Sequence, residues 1–267
     1  MISREKYMSN SEHTAKEIQR RQIRLVCQAA QLVLENGGEV YRVEETALRM
    51  AKGFDLEDVN IVAFPTSLFL DAGGRMRVRR ITHRGVNTTR LALVNDISRK
   101  VEHGEMPLEE AERALSDIAN GYGAEQKTLI PGYALAAASF ALMFGGGLGS
   151  MIAALLIGAL VQTVQPLFSY MAMGGFFGNF TGGVITAFLA HAAALFIPYG
   201  DVNATIIGGI MPLLTGLLMT TAVRDTMYGD LVSGIVRALE ALLLAASVAL
   251  GVYIGLKLIA LTGGVAL

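Results

Sequence analysis

One cysteine in 267 residues excludes a good deal. Cys27 cannot close an intramolecular disulfide, and a lone thiol is no metal site. It lies in a helical pattern and reads as a buried group. The four histidines, His13, His83, His103 and His191, lack the i, i+4 spacing of a helical zinc site. There is no surplus of positive charge: 22 Lys and Arg stand against 23 Asp and Glu. Binding a phosphate backbone needs a basic excess, so nucleic acid is excluded as a main partner. No nucleophile elbow surrounds Ser67, and neither a P-loop nor G-x-G-x-x-G is present, so no common catalytic signature is found. No cofactor and no metal are expected. The first thirty residues are polar and lack the apolar core of a secretory leader. The N-terminus is therefore expected in the cytoplasm.

The scarcest commodity is charge in the second half. Residues 1–127 carry 38 charged side chains and residues 128–267 only seven: Asp201, Arg224, Asp225, Asp230, Arg237, Glu240 and Lys257. With 52% hydrophobic residues and a mean hydropathy of +0.46, the chain is too apolar for an ordinary soluble domain. The expectation is an α-helical membrane protein of about five transmembrane helices with a small N-terminal cytoplasmic α/β domain. Residues 1–14 read as a disordered tail, 15–127 as the α/β domain and 128–267 as the transmembrane domain.

Within the polar half, apolar residues at helical spacing predict a helix over 15–35, stopped by Gly37 and Gly38, and a second over 40–52. The stretch VNIVAFPTSLFLD at 59–71 is β-rich and broken by Pro65; DAGG at 71–74 is a turn. RMRVRRIT at 75–82 alternates, which predicts a strand with Met76 and Val78 turned inward and Arg75, Arg77 and Arg79 on a solvated face or near anionic headgroups. Helices over 88–102 and 107–120 follow.

The apolar half offers spans at about 129–147, 149–166, 174–198, 202–223 and 231–261, each near the ~20 residues needed to cross hydrocarbon. Cations flank them on one side only: the polar half with Lys127, then Arg224 and Arg237. This places the N-terminus in the cytoplasm of a multi-pass plasma-membrane protein and the C-terminus outside, with Lys257 snorkelling. Polar groups at depth, above all Gln162, Gln165 and Asn179, point to a wet cavity or a neighbouring helix. Pro212 and Gly216 interrupt the fourth span, and broken helices build transporter sites.

The segment 222–250 then places Arg224, Asp225, Asp230, Arg237 and Glu240 in or beside oily runs. A charge at the bilayer centre costs roughly 2.5–3.5 kcal/mol, so it is kept where it is paired or wet. Two readings stay open: a hydrated path lined by these groups and the Pro212 break, or a cytoplasmic interfacial loop whose charges only fix topology.

Three stretches carry a resemblance. ENGGEVYRVEET at 35–46, RGVNTTRLALVNDISRKVEHGE at 84–105 and GGIMPLLTGLLMTTAVRDTMYGDLVSGIVRALEA at 208–241 together resemble the threonine/serine exporter family. Gly37, Glu39, Tyr41, Arg42 and Glu44 fill one family pattern. Pro212, Gly216, Arg224, Asp225, Gly229, Asp230, Ser233, Gly234, Arg237 and Glu240 fill another. The resemblance implies a cytoplasmic N-terminal domain before five spans. It also implies a split type completed by a second, smaller membrane subunit, as in a two-component succinate exporter. The function it implies is proton-coupled export of a small polar metabolite by alternating access, first threonine or serine, alternatively a dicarboxylate such as succinate. The path would comprise Pro212, Gly216, Thr220, Arg224, Asp225, Asp230, Arg237, Glu240, Gln162 and Asn179. Small-molecule substrate, membrane lipids, the second subunit and an oligomer are the expected partners. No enzyme activity is expected, the rivals being a membrane-anchored enzyme or sensor and a passive channel.

Overall fold

The computed structural model describes residues 2–121, 129–170, 174–197 and 200–261. Lys127, used above for topology, lies outside them. The chain divides into two units. Unit 1 comprises 1–124 and 221–237; unit 2 comprises 125–220 and 238–267.

Unit 1 is organised around α1 (Ile2–Glu35). Between Ile23 and Leu34 this helix is buried almost all round, with Ile23, Val26, Ala30 and Leu34 on one side and Leu25, Ala29, Leu32 and Val33 on others. Such a helix belongs in the middle of a core. It starts well before the expected residue 15, and Ile18, at helical spacing from the buried Leu25, is exposed. Cys27 is fully buried in α1, and burial pushes its thiol up. Around it pack α2 (Val40–Gly53), α3 (Thr88–Glu102), α4 (Leu108–Ala119) and a sheet of β1 (Val59–Phe64), β2 (Ser67–Ala72) and β3 (Arg75–Arg80). The Asn87 side chain caps α3, accepting from Arg90 N–H at 3.0 Å, and so satisfies one of the free donors at that end.

The sheet is an antiparallel meander in the order β1-β2-β3. Its third strand faces the other way from the expectation. Met76 and Val78 are 69% and 57% exposed, and Arg75 and Arg77 are half-buried. The turn decides this. Gly73 and Gly74 both have positive φ, +58° and +72°, the requirement of a tight I′-type hairpin. That turn pairs Ala72 with Arg75, and hence Leu70 with Arg77 and Leu68 with Arg79. Since Ala72, Leu70 and Leu68 are buried, the arginines share the inner row, at the margin of the core. A register shifted by one residue would have reversed both faces.

Unit 2 is built of helices alone among its described residues. It comprises α5 (Leu129–Met143), α6 (Leu148–Tyr170), α7 (Gly174–Phe196), α8 (Val202–Ile210), a single 3-10 turn at Met211–Leu213, and parts of α9 (Gly216–Met227) and α10 (Leu231–Leu261). Leu135, Leu156, Phe188, Leu195, Leu242 and Leu250 are all exposed, a surface that suits lipid rather than water. By length and composition α6, α7 and α10 can each cross a membrane, and a fourth span results if α8 and α9, bent by 51° at their break, count as one. The 15 residues of α5 reach about 22 Å at 1.5 Å per residue, short of the ~30 Å core. The described helices thus account for three or four of the five expected spans. The 31 residues of α10 exceed what a bilayer needs, and its first seven belong to unit 1.

With lipid outside, helices associate through close contact of small residues. At Gly251 of α10 an added Cβ would fall 2.1 Å from the Phe180 carbonyl oxygen of α7; only glycine allows that crossing.

Candidate functional site

Two polar assemblies stand out, one in each unit. In unit 1 the end of α9 and the start of α10 meet the start of α2. The helix α9 stops at Met227, and Gly229, at φ +96°, turns the chain so that the Asp230 N–H bonds the Asp225 carbonyl at 2.9 Å. This sets Asp225 and Arg237, one on each helix, against each other. Asp225 Oδ2 lies 3.2 Å from Arg237 Nε, and its Oδ1 accepts from the Val40 N–H at 3.0 Å. Arg237 Nη2 donates to the Gly38 carbonyl at 2.8 Å. The pair is sealed: Asp225 is 0% and Arg237 4% exposed. Taking two charges out of water costs several kcal/mol per ion, offset only where geometry is good and the remaining polar atoms are bonded. The backbone of residues 38–40 supplies two such bonds, while Asp225 Oδ2 faces the Arg237 charge without a hydrogen bond among the described residues.

A second ion pair lies beside the first. Glu39 Oε1 meets Arg224 Nη1 at 2.5 Å, and its Oε2 lies 3.2 Å from Arg42 Nε. Tyr41 stacks on Tyr228, the ring centroids 4.1 Å apart. Glu39, Tyr41 and Arg42 of the expected motif and the expected charges Arg224, Asp225 and Arg237 are therefore one structure, while Gly37 abuts Gly85 and Val86. Glu44 sits apart, accepting from the Ala63 N–H at 3.3 Å; burial, partly offset by this bond and reinforced by Asp230, holds its carboxyl above the usual range. Asp230 lies in the turn. Ser233 and Gly234 are buried at the start of α10, where a Cβ at Gly234 would strike Thr226. Tyr228 and the backbone of Gly38 and Val40 were not singled out from the sequence. Nothing in a periodicity marks a backbone group as a partner, or one tyrosine among eight as a stacking one.

Unit 2 contains the break. Pro212 lies in the 3-10 turn, where it has no N–H to continue α8, and Leu214 adopts extended backbone (φ −75°, ψ 123°) before α9 begins at Gly216. The carbonyl of Leu213, released from helical bonding, accepts from Asn179 Nδ2 of α7 at 3.4 Å. Asn179 Oδ1 in turn accepts from Gln165 Nε2 of α6, also at 3.4 Å. One turn earlier on α6, Gln162 is 5% exposed, and its Oε1 is buried with no hydrogen-bond partner. An orphaned buried oxygen costs about 1–3 kcal/mol. Sequence reasoning had selected Gln162, Gln165, Asn179, Pro212 and Gly216; Pro212 and Gly216 flank the break, Asn179 and through it Gln165 bond to it, and Gln162 lies one turn from Gln165. Thr220 bonds only its own helix, through the Leu217 carbonyl at 2.9 Å. Glu240 is half-buried on the unit 2 part of α10.

Residues 24–259 match the family described as "Putative threonine/serine exporter". The chain belongs to the threonine/serine exporter family. Among curated proteins, a "Probable threonine/serine exporter" of Mycobacterium tuberculosis is 23% identical over 245 residues, 89% of this chain and 46% of the relative. An uncharacterised protein of Schizosaccharomyces pombe is 26% identical over 270 residues, 92% of this chain and 34% of the relative. The chain thus spans about half the length of one relative and a third of the other. No solved structure matches it. Both assemblies of this exporter-family member lie within the matched region.

Proposed function

We propose that the chain is a subunit of a secondary exporter of a small polar metabolite, threonine or serine first, acting at the break between α8 and α9. One observation carries this reading: an apolar helical unit links two amide side chains to a released carbonyl at a discontinuous helix, with a third buried amide one turn away on α6 whose oxygen is unanswered among the described residues. Intramembrane polar groups are expensive and kept for solutes or ions, and half-helix ends are natural partners for charged substrate groups. The positive end of the α9 dipole suits a carboxylate, and the Leu213 carbonyl suits an ammonium. The M. tuberculosis relative's printed name points to the same solutes.

Asp225 and Arg237 are buried against each other as an ion pair. In this reading they hold α9 and α10 to residues 38–40 and do not meet the solute, and the coupling proton falls to Asp230 or Glu240. Five spans, a cytoplasmic N-terminus, an oligomeric assembly and a second, smaller membrane subunit complete the proposal. The test is efflux of labelled threonine, serine and succinate from vesicles holding both subunits, with and without a proton gradient. Gradient-dependent efflux of threonine that Asn179→Leu abolishes is the expected result; efflux of succinate alone would transfer the site to dicarboxylates. Flux of no solute, or unchanged flux in Asn179→Leu and Gln162→Leu, would remove the reading.

A further inference from the structure

A cleft of about 440 Å³ is lined by α2 and α3 in unit 1, and neither the family match nor the export site accounts for it. Its volume lies in the range of small-molecule sites. The two helices run side by side in the same direction: Gly38, before α2, abuts Leu91, and Gly53 at its end abuts Val101 and Glu102. One face of each lines the cleft, with Val33 of α1 also in the lining. The charged residues on these faces are Arg42, Glu45, Arg49 and Arg99, a balance of two positive charges, with Thr46, Thr88 and Asn95 as neutral polar neighbours.

The cations sit at two levels. Arg42 is near the helix starts, where the dipoles are also positive. Arg49 and Arg99 are near the helix ends, Arg49 being two turns, about 10 Å, along α2 from Arg42. Arg49 is built into place: Nη1 bonds Asn95 Oδ1 at 2.9 Å and Ser98 Oγ at 3.3 Å, and its charge meets Glu45 and Glu102. Arg99 has no carboxylate within ion-pair distance among the described residues. Arg42 uses only Nε for its bonds to Glu39 and Tyr41, leaving both Nη groups for another partner.

We propose that this cleft binds a small organic anion with an oxyanion group at each end, a short dicarboxylate or its phosphate-bearing counterpart. One end meets Arg42; the other meets Arg99 beside the braced Arg49; Thr46, Thr88 and Asn95 serve the middle. Guanidinium forks match carboxylate and phosphate oxygens in geometry as well as charge. Because Glu39 joins Arg42 to Arg224, a ligand on the Arg42 Nη groups shares the Arg42 charge with Glu39 and so bears on the pair that ties α9 to α2. The cleft is thus placed to sense a metabolite rather than to carry it.

The test is calorimetric titration of the full chain in lipid nanodiscs at low salt with malonate, succinate, glutarate and inorganic phosphate. Saturable binding at one site, with a preferred chain length, is expected. Arg99→Ala and Arg42→Ala should each weaken it about tenfold, a loss in the range of a charge-assisted hydrogen bond. Glu45→Gln, which removes the only acid of the lining, should strengthen it. Arg99 is exposed, so an unchanged melting temperature verifies that Arg99→Ala is folded. No saturation up to about 10 mM, far above useful affinities, overturns the proposal. So does binding of phosphate with none of the dicarboxylates, which rejects a two-ended ligand. Binding that Asn179→Leu abolishes and Arg99→Ala leaves intact belongs to the export site, and that outcome rejects the cleft without touching the exporter reading.

Discussion

The two units solve the same problem in opposite ways. Each holds polar groups in apolar surroundings. Unit 1 uses full charges: Asp225 faces Arg237, Asp225 Oδ1 and Arg237 Nη2 meet the backbone of Val40 and Gly38, and Asp225 Oδ2 has the guanidinium charge at 3.2 Å but no hydrogen bond among the described residues. Unit 2 uses neutral amides, joins them by long 3.4 Å bonds and leaves the Gln162 oxygen unanswered. An account closed by opposite charges marks an arrangement built to hold shape. A neutral amide oxygen with neither hydrogen bond nor counter-charge, on a helix joined to a broken one, marks a place where something else completes the bonding.

The largest effect should come from breaking the closed account. Asp225→Ala leaves Arg237 buried without its counter-ion and should cost about 3–5 kcal/mol, read as lost stability on denaturant unfolding in detergent. Replacing both partners by apolar residues of similar size, Asp225→Leu with Arg237→Met, should recover most of that loss. If the single change costs no more than the double one, the pair is not the closure described. Arg224→Ala, removing a half-exposed partner of Glu39, should cost less than Asp225→Ala.

The next effect lies in the helix crossing of unit 2. Gly251→Ala places a methyl against the Phe180 carbonyl and should cost roughly 1–3 kcal/mol, measured on thermal unfolding in lipid nanodiscs. A neutral outcome would show that α7 and α10 can part without penalty.

Smaller, and opposite in sign for stability and function, is Gln162→Leu. Removing an orphaned oxygen should raise stability by up to about 1–2 kcal/mol while lowering export of threonine. Equal gains in both would place Gln162 among packing residues and erase the contrast between the units.

The smallest is a pH effect in unit 1. The Glu44 carboxyl is held above its ordinary value of 4.5, chiefly by burial. Between that value and its higher folded value the folded state binds more protons than the unfolded chain, so this group's contribution falls as pH rises through the window. Glu44→Gln should therefore flatten the stability curve above pH 4.5, by less than about 1 kcal/mol after solvent screening. Superimposable curves for the two proteins would show that Glu44 does not contribute.

Much of this was legible in the residues alone. Thirty-eight charges against seven divide a water-facing region from an oily one, because no folding pattern buries that many charges or dissolves that much leucine. Pro212 announces a break wherever the helix lies, since its ring and missing N–H act locally. Gln162 and Asn179 stand out because amides are costly in oil. Other features needed three dimensions. Alternation in 75–80 shows two faces but not which is inward; the hairpin at Gly73 and Gly74 and the burial of β2 decide that, against the simplest guess. Arg224, Asp225 and Arg237 announce that charge is present but not its partner, because Glu39 and the backbone of Gly38 and Val40 lie some 185 or more residues away along the chain. Composition and local stereochemistry act through neighbours in sequence and can be read there. Pairing, burial and the cleft between α2 and α3 act through neighbours in space, and only the folded chain brings those together.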